Sequence, residues 1–388
     1  MKITDIQCHV MGIPGPDGKT ARRNWIFVEV HTNKGITGIG EATTEWHEMA
    51  IKVQIENELK PNLLGLDPRR ITQIWQKGYR EFWWRQGVVH TSAMSGIDMA
   101  LWDILGKSLN APVCDLLGGR VRDKVRLYAR GDLGLGSLEA DAKQAVEQGF
   151  DAYKHGFGKP TAPFDVERQV DVVLTEFKRI RAALGPDVDL MLDAAGMFTS
   201  QAAHRLIEGL LPQKMYFIEE PVNQDTVTPT LRIKKAFPNV RIALGERLCT
   251  RWAFREFFER QAIDVCQADV SHTGGISELM KIAHYAEVYG IQIAPHNPYG
   301  PVALAASAHA AAAMHNFLIL EHCRLYPWFN DVQRVAVPIV NGHVDMIELS
   351  RRPGLGVELN MQLVQSLPFA RLDLLTYAQR DGSSLIYQ

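Results

Sequence analysis

No apolar run in the sequence is long enough to cross a bilayer. The longest, residues 302–314, is mostly alanine and is interrupted by His309, short of the ~20 apolar residues a spanning helix needs. Neither charge is in surplus. There are 42 lysines and arginines against 44 aspartates and glutamates, a formal net charge of −2 with no long run of one sign. Bulk charge therefore attracts neither a nucleic-acid backbone nor an anionic membrane. Cysteine is scarce: Cys8, Cys114, Cys249, Cys266 and Cys323 are far apart, odd in number and without a CxxC pair. That pattern excludes a disulfide framework and points to reduced thiols in a cytoplasmic protein. The opening MKITDIQCHV has no apolar core, so no secretory signal is expected. A dinucleotide fingerprint is missing too, because Glu139 stands where Gly134-Leu-Gly136 would need its third glycine. His47-Glu48 lacks the second histidine of a zinc helix.

What remains is ordinary globular composition, 46% hydrophobic and 22% charged over 388 residues, too long for one simple core. Residues 3–11, 25–31 and 36–42 alternate apolar and polar as half-buried strands do, and 45–117 carries helical spacing closed by Gly118-Gly119. Residues 1–124 thus read as an α+β domain. Eight short apolar runs follow, at 125–130, 151–157, 189–194, 216–221, 241–246, 264–270, 291–296 and 317–322, each followed by a helical pattern. Eight strands with helical crossovers in roughly 200 residues is the arithmetic of a TIM-type barrel over 125–330. In 331–388 strand and turn chemistry returns. Asn341-Gly342 predicts a two-residue hairpin, and this segment is expected to pack back on the N-terminal domain.

The chemistry sits at the ends of the runs, where a barrel opens its active site. The third ends in Asp193, the fourth in Glu219-Glu220-Pro221, the fifth in Gly245-Glu246. Asp193, Glu219 and Glu246 would converge and repel one another unless a divalent cation relieved them, and an all-oxygen set favours magnesium, one per chain, over zinc. The sixth run carries Asp269 and the seventh ends in His296. An aspartate on the neighbouring strand end fixes an imidazole tautomer and raises its basicity, making His296 a candidate general base. Glu321 on the eighth run offers a further acid. Lys154 on the second would face carboxylates or an anionic ligand, since a lysine buried alone is costly. With a one-residue shift of that strand, His155 would face inward instead.

On these residues the chain resembles the enolase superfamily and, within it, the mandelate racemase subgroup. The likeness extends to Trp102-Asp103 and to the segment Pro353-Gly354-Leu355-Gly356-Val357-Glu358. It implies an α/β fold, a (β/α)7β barrel with an α+β capping domain completed by the C-terminal segment. It implies a metal site of Asp193, Glu219 and Glu246, a His296–Asp269 dyad, and a substrate-binding Lys154. Two departures matter. Gly156 stands where the subgroup often has a second lysine base, and Ala195 where its galactonate and mannonate dehydratases often have a histidine. The resemblance therefore implies one base rather than two. The expected reaction is magnesium-dependent dehydration of an acid sugar, an aldonate or aldarate, to a 2-keto-3-deoxy acid. His296 would serve as base and then acid, with a protonated Glu321 assisting. A racemase, epimerase or cycloisomerase is the alternative, and a non-catalytic metal-binding barrel a distant one. A homo-oligomer binding neither nucleic acid nor membrane is expected. Candidate substrate contacts are Arg22 and Arg23 in loop 13–23, Arg85 with Trp83 and Trp84, and Trp328.

Overall fold

The computed structural model describes residues 1–15, 21–131, 136–324, 327–374 and 377–383. The tip of loop 13–23 and Gly134 lie outside them. Three antiparallel strands open the chain: β1 (Ile3–Pro14), β2 (Ala21–Thr32) and β3 (Thr37–Glu41). The helix Val88–Leu109 packs across them, and 15 of its 22 residues are buried. Its backbone can lie that close because Gly40 faces Gly96, where a Cβ on either strand or helix would overlap its neighbour. Trp102-Asp103 lies on this helix. Asp103 accepts the N–H of Ile39 at 3.0 Å and of Leu355 at 2.9 Å, so one buried carboxylate joins sheet, helix and C-terminal segment.

Eight parallel strands then close a ring: β4 (Lys124–Arg130), β5 (Ala152–His155), β6 (Asp189–Asp193), β7 (Ile218–Glu219), β8 (Ile242–Leu244), β9 (Val265–Cys266), β10 (Gln292–Ile293) and β11 (Leu320–His322). Closure runs through the pairing of β11 with β4 and a parallel bridge from Ile293 to Phe317. The strands are shorter than the apolar runs predict. The paired ladder stops where the chain turns into loops, and Ala195 (φ 49°) and Glu220 (φ 40°) adopt left-handed backbone just past β6 and β7. Such strained conformations collect at functional sites.

The ring's interior explains where the chemistry lies. One apolar residue per strand fills it, from Tyr128, Ala152, Met191 and Phe217 round to Ala243, Val265, Ala294 and Ile319. Strand side chains alternate, so the next inward position is two residues on. That rule gives Arg130, Lys154, Asp193 and Glu219 on the first four strands. On the rest it gives Gly245, Gln267, His296 and Glu321. A polar layer therefore caps the apolar one at the strands' C-terminal ends.

The Asn341-Gly342 turn forms as predicted, with φ of 47° and 68° between β13 (Ile339–Val340) and β14 (His343–Asp345), which follow β12 (Gln333–Val335). Its partner differs. β14 pairs antiparallel with the barrel strand β4 rather than with the N-terminal sheet. The later tail is what reaches that sheet: Gly12 N–H donates to the Leu367 carbonyl at 3.1 Å, and the Asn24 carboxamide accepts from Ala370 N–H at 3.0 Å.

Candidate active site

Asp193 and Glu219 are the last residues of β6 and β7, and Glu246 follows β8 after Gly245 (φ 142°). One oxygen from each lies within 4.8 Å of the others. Glu219 is fully buried, and among the described residues its Oε1 has no hydrogen-bond partner. Burial first, then the neighbouring carboxylates, raise Asp193 and Glu219, the latter to about 8, while Lys154 opposes. An unsatisfied buried oxygen inside a cluster of mutually repelling carboxylates fits a hard divalent cation such as magnesium. The second glutamate of the Glu-Glu-Pro sequence, Glu220, is used differently, pairing with Arg247 at 3.0 Å.

Lys154 lies among these acids with 1% side-chain exposure, 2.7 Å from Glu219, 3.2 Å from Glu321 and 4.0 Å from Asp193. Burial disfavours its charge, but Glu219 and Glu321 outweigh burial and hold it well above the ordinary lysine range. The one-residue shift does not occur. His155 faces the helix Val166–Leu184, with Nε2 3.1 Å from Glu176 and its ring packed on Phe177.

His296 stands across the mouth. Its Nδ1 is 2.6 Å from Asp269 Oδ2, its Nε2 3.0 Å from Glu246 and 3.8 Å from Glu321. Burial alone would lower the imidazole, yet Glu246, Glu321 and Asp269 push it up to about 10. As a metal ligand, Glu246 would no longer share that proton. Burial would raise Glu321, but Lys154, His296, Arg130 and the Asn297 N–H bring it down to about 2, an environment that favours the carboxylate over the protonated acid expected from the sequence.

A cavity of about 930 Å³ joins Lys154, Asp193, Glu246 and His296 to the N-terminal domain through Arg23, Glu45 and Trp46. Arg23 reaches it with its guanidinium already engaged, 2.7 Å from Glu45, bonded to the Pro298 carbonyl and 5.6 Å from the Tyr299 ring centroid. Among the described residues, Arg22, Arg85 and Trp328 do not line the cavity. Arg85 lies over Tyr79 at 5.6 Å, beyond the helix Ile71–Arg80, and Trp83 and Trp84 beside it are 86% and 89% exposed. Trp328 heads a helix packed against the barrel's outer core. Nearness in sequence to Glu321 did not set its direction.

Sequence reasoning missed Arg130, Gln267, Tyr299 and Glu45. The two-residue step past the apolar layer would have found Arg130 and Gln267. Tyr299 and Glu45 sit on loops without such a signal, and Tyr299 is held by His272 Nε2 at 2.7 Å.

Residues 17–118 match the mandelate racemase/muconate lactonizing enzyme N-terminal domain, and residues 137–363 the enolase C-terminal domain-like family. A D-galactonate dehydratase of Verminephrobacter eiseniae is 38% identical over 351 residues, 88% of this chain and 90% of the relative. That of Ralstonia pickettii is 37% identical over 348 residues, with the same shares of both chains. Among solved structures, a protein of Labrenzia alexandrii assigned to mandelate racemase/muconate lactonizing enzyme matches with a TM-score of 0.87 at 30% identity, covering 96% of this chain and 98% of that one. A protein of Agrobacterium radiobacter assigned as a galactarate dehydratase, with sodium and L-malate bound, matches with a TM-score of 0.87 at 27% identity over 99% of both chains.

Proposed function

The chain belongs to the mandelate racemase and muconate lactonizing enzyme family of the enolase superfamily, and from that premise we propose that it is a magnesium-dependent hydro-lyase that dehydrates an acid sugar to a 2-keto-3-deoxy acid. The observation that carries the reading is the His296–Asp269 contact of 2.6 Å, with the imidazole facing the three-carboxylate cluster and Gly156 offering no side chain on the Lys154 side. The relatives named D-galactonate dehydratase support the reaction class.

Asp193, Glu219 and Glu246 would hold the magnesium. When bound, it supplies a Lewis acid that lowers the cost of charge on the substrate carboxylate. With Glu246 committed to the cation, the proton that it shares with Nε2 would be released, and Asp269 would keep the other on Nδ1, so that Nε2 faces the substrate as the base. His296 takes the α-proton from C2, and the electron pair left behind forms an enediolate with the carboxylate. Lys154 stands ready to stabilise that charge. The imidazolium then returns its proton to the 3-hydroxyl as the C3–O bond breaks, water departs, and the enol tautomerises to the 2-keto-3-deoxy acid. Ionised Glu321 keeps Lys154 charged and adds a negative charge beside the imidazolium.

A racemase on the same enediolate would need a competent base on the opposite face. Lys154 is tied among carboxylates there, and His155, which also borders the cavity, has its Nε2 engaged by Glu176 at 3.1 Å. The proposed setting is the cytoplasm, in keeping with five unpaired cysteines, and the proposed state is a homo-oligomer. Screening aldonates and aldarates for 2-keto acid formation, with magnesium and with chelator, tests the reading. Formation that survives complete removal of divalent metal would overturn it.

A further inference from the structure

Three arginines line the cavity, and two of them are committed. Arg23 pairs with Glu45 at 2.7 Å and bonds to the Pro298 carbonyl. Arg247 pairs with Glu220 at 3.0 Å and donates to the Ala195 carbonyl at 2.8 Å. The third is Arg130. It ends β4 in register with Lys154 and two residues beyond Tyr128, so its side chain faces the mouth. Among the described residues, its guanidinium makes no hydrogen bond and no ion pair.

Its surroundings do not supply the missing partner. Glu321 is engaged by Lys154 at 3.2 Å and by the Asn297 N–H at 3.1 Å, and Glu45 by Arg23. Asp141, the other acid on this side, takes Arg324 at 2.6 Å and the Tyr153 hydroxyl at 2.7 Å. Arg324, which also donates to the Arg130 carbonyl at 3.2 Å, is itself buried, and among the described residues its Nε and Nη1 find no partner. The β4 edge of the mouth thus carries more guanidinium donors than acceptors. The three carboxylates span β6 to β8, so in a ring of eight strands the far side of the mouth is β11 with its neighbours β4 and β10. A substrate anchored by one carboxylate at the metal would direct its other end toward that side, where Arg130 stands.

We propose that Arg130 grips the far end of the acid sugar and that this end is a second carboxylate, making the substrate an aldarate rather than an aldonate. The proposal rests on the dehydratase reading. A planar guanidinium fork with free N–H groups matches a carboxylate bidentately, and a terminal hydroxyl would leave part of that fork unpaired. This assigns the distal contact to Arg130 rather than to Arg22 or Arg23, the candidate substrate contacts in the sequence.

The test uses the full chain with magnesium and two matched pairs, galactarate with galactonate and glucarate with gluconate. Wild type should favour an aldarate in kcat/KM by about 10- to 100-fold, the worth of a charge-assisted hydrogen bond. Arg130→Gln should raise the aldarate KM by roughly 10- to 100-fold, the loss of a charge-assisted hydrogen bond, with kcat moved far less. Arg130→Lys, which keeps the charge, should fall between. Calorimetric binding of the four acids to wild type and to both variants separates this proposal from the reaction. If no acid is dehydrated, the dehydratase reading fails, and equal aldarate affinity in wild type and variants would overturn the Arg130 assignment by itself. A wild-type preference for aldonates, or an unchanged aldarate KM in both variants, would also overturn it.

Discussion

Glu41, at the end of β3, accepts the backbone N–H of Gly300 at 2.7 Å and of Ala303 at 2.9 Å, so a cap carboxylate closes the N-terminus of the barrel helix Pro301–Ala313. The loop carrying His296 leads directly into that helix. The contact therefore links the seating of the cap to the placement of the imidazole.

Glu41→Ala should lose both acceptors while leaving buried N–H groups behind. We expect a cost of about 1–3 kcal/mol in chemical denaturation, together with weaker substrate binding as the cap loosens. Unchanged stability would mean that water replaces the carboxylate.

Replacing a metal ligand should act with opposite signs in the two metal states. Asp193→Asn, Glu219→Gln and Glu246→Gln each remove one of the repelling charges. Asp193→Asn should thus leave the metal-free protein as stable as wild type or more so. All three should weaken magnesium binding and lose the stabilisation that saturating magnesium gives wild type, about 2.7 kcal/mol at 100 times Kd. Melting with and without magnesium reads this, and magnesium should restore chelated enzyme better than zinc.

His309 gives a pH dependence of defined sign. It is buried on the helix Pro301–Ala313, with Nδ1 accepting from Cys114 N–H at 3.2 Å and Nε2–H donating to the Leu355 carbonyl at 3.2 Å. Burial lowers it to about 4 against a weaker pull from Leu355. As pH falls through 6.5 the unfolded chain takes up a proton that the folded protein refuses, so the contribution of His309 to stability falls. The loss levels off near pH 4, at about 3 kcal/mol. The stability gap between wild type and His309→Gln should therefore narrow between pH 7 and pH 4.5. A gap that widened would contradict a neutral buried imidazole.

The barrel was legible because its period is regular: an apolar run, a polar residue at its end, a helix, repeated eight times. Asp193, Glu219, His296 and Glu321 lie on that period, and Glu246 one residue past it, where Gly245 lets the chain turn inward. Arg130 lies on the period too but was passed over, since an arginine ending a strand reads as surface until the ring closes around it. Arg85 and Trp328 show the opposite failure. Their chemistry suited a pocket, but helix direction is set by packing with distant elements, which local sequence does not encode. The ionisation of Glu321 was equally hidden, because it depends on Lys154, His296 and Arg130 arriving from three other strands.

The central claim is that His296 alone handles both the α-proton and the departing hydroxyl. Proton NMR in deuterated water, with both C2 epimers of a substrate that is turned over, tests it directly. His296→Asn should abolish dehydration and α-proton exchange together, a loss of at least about 10²–10⁴. Asp269→Asn should lower both by releasing the imidazole. Persistent exchange of one epimer in His296→Asn would reveal a base on the Lys154 face and contradict the one-base dehydratase.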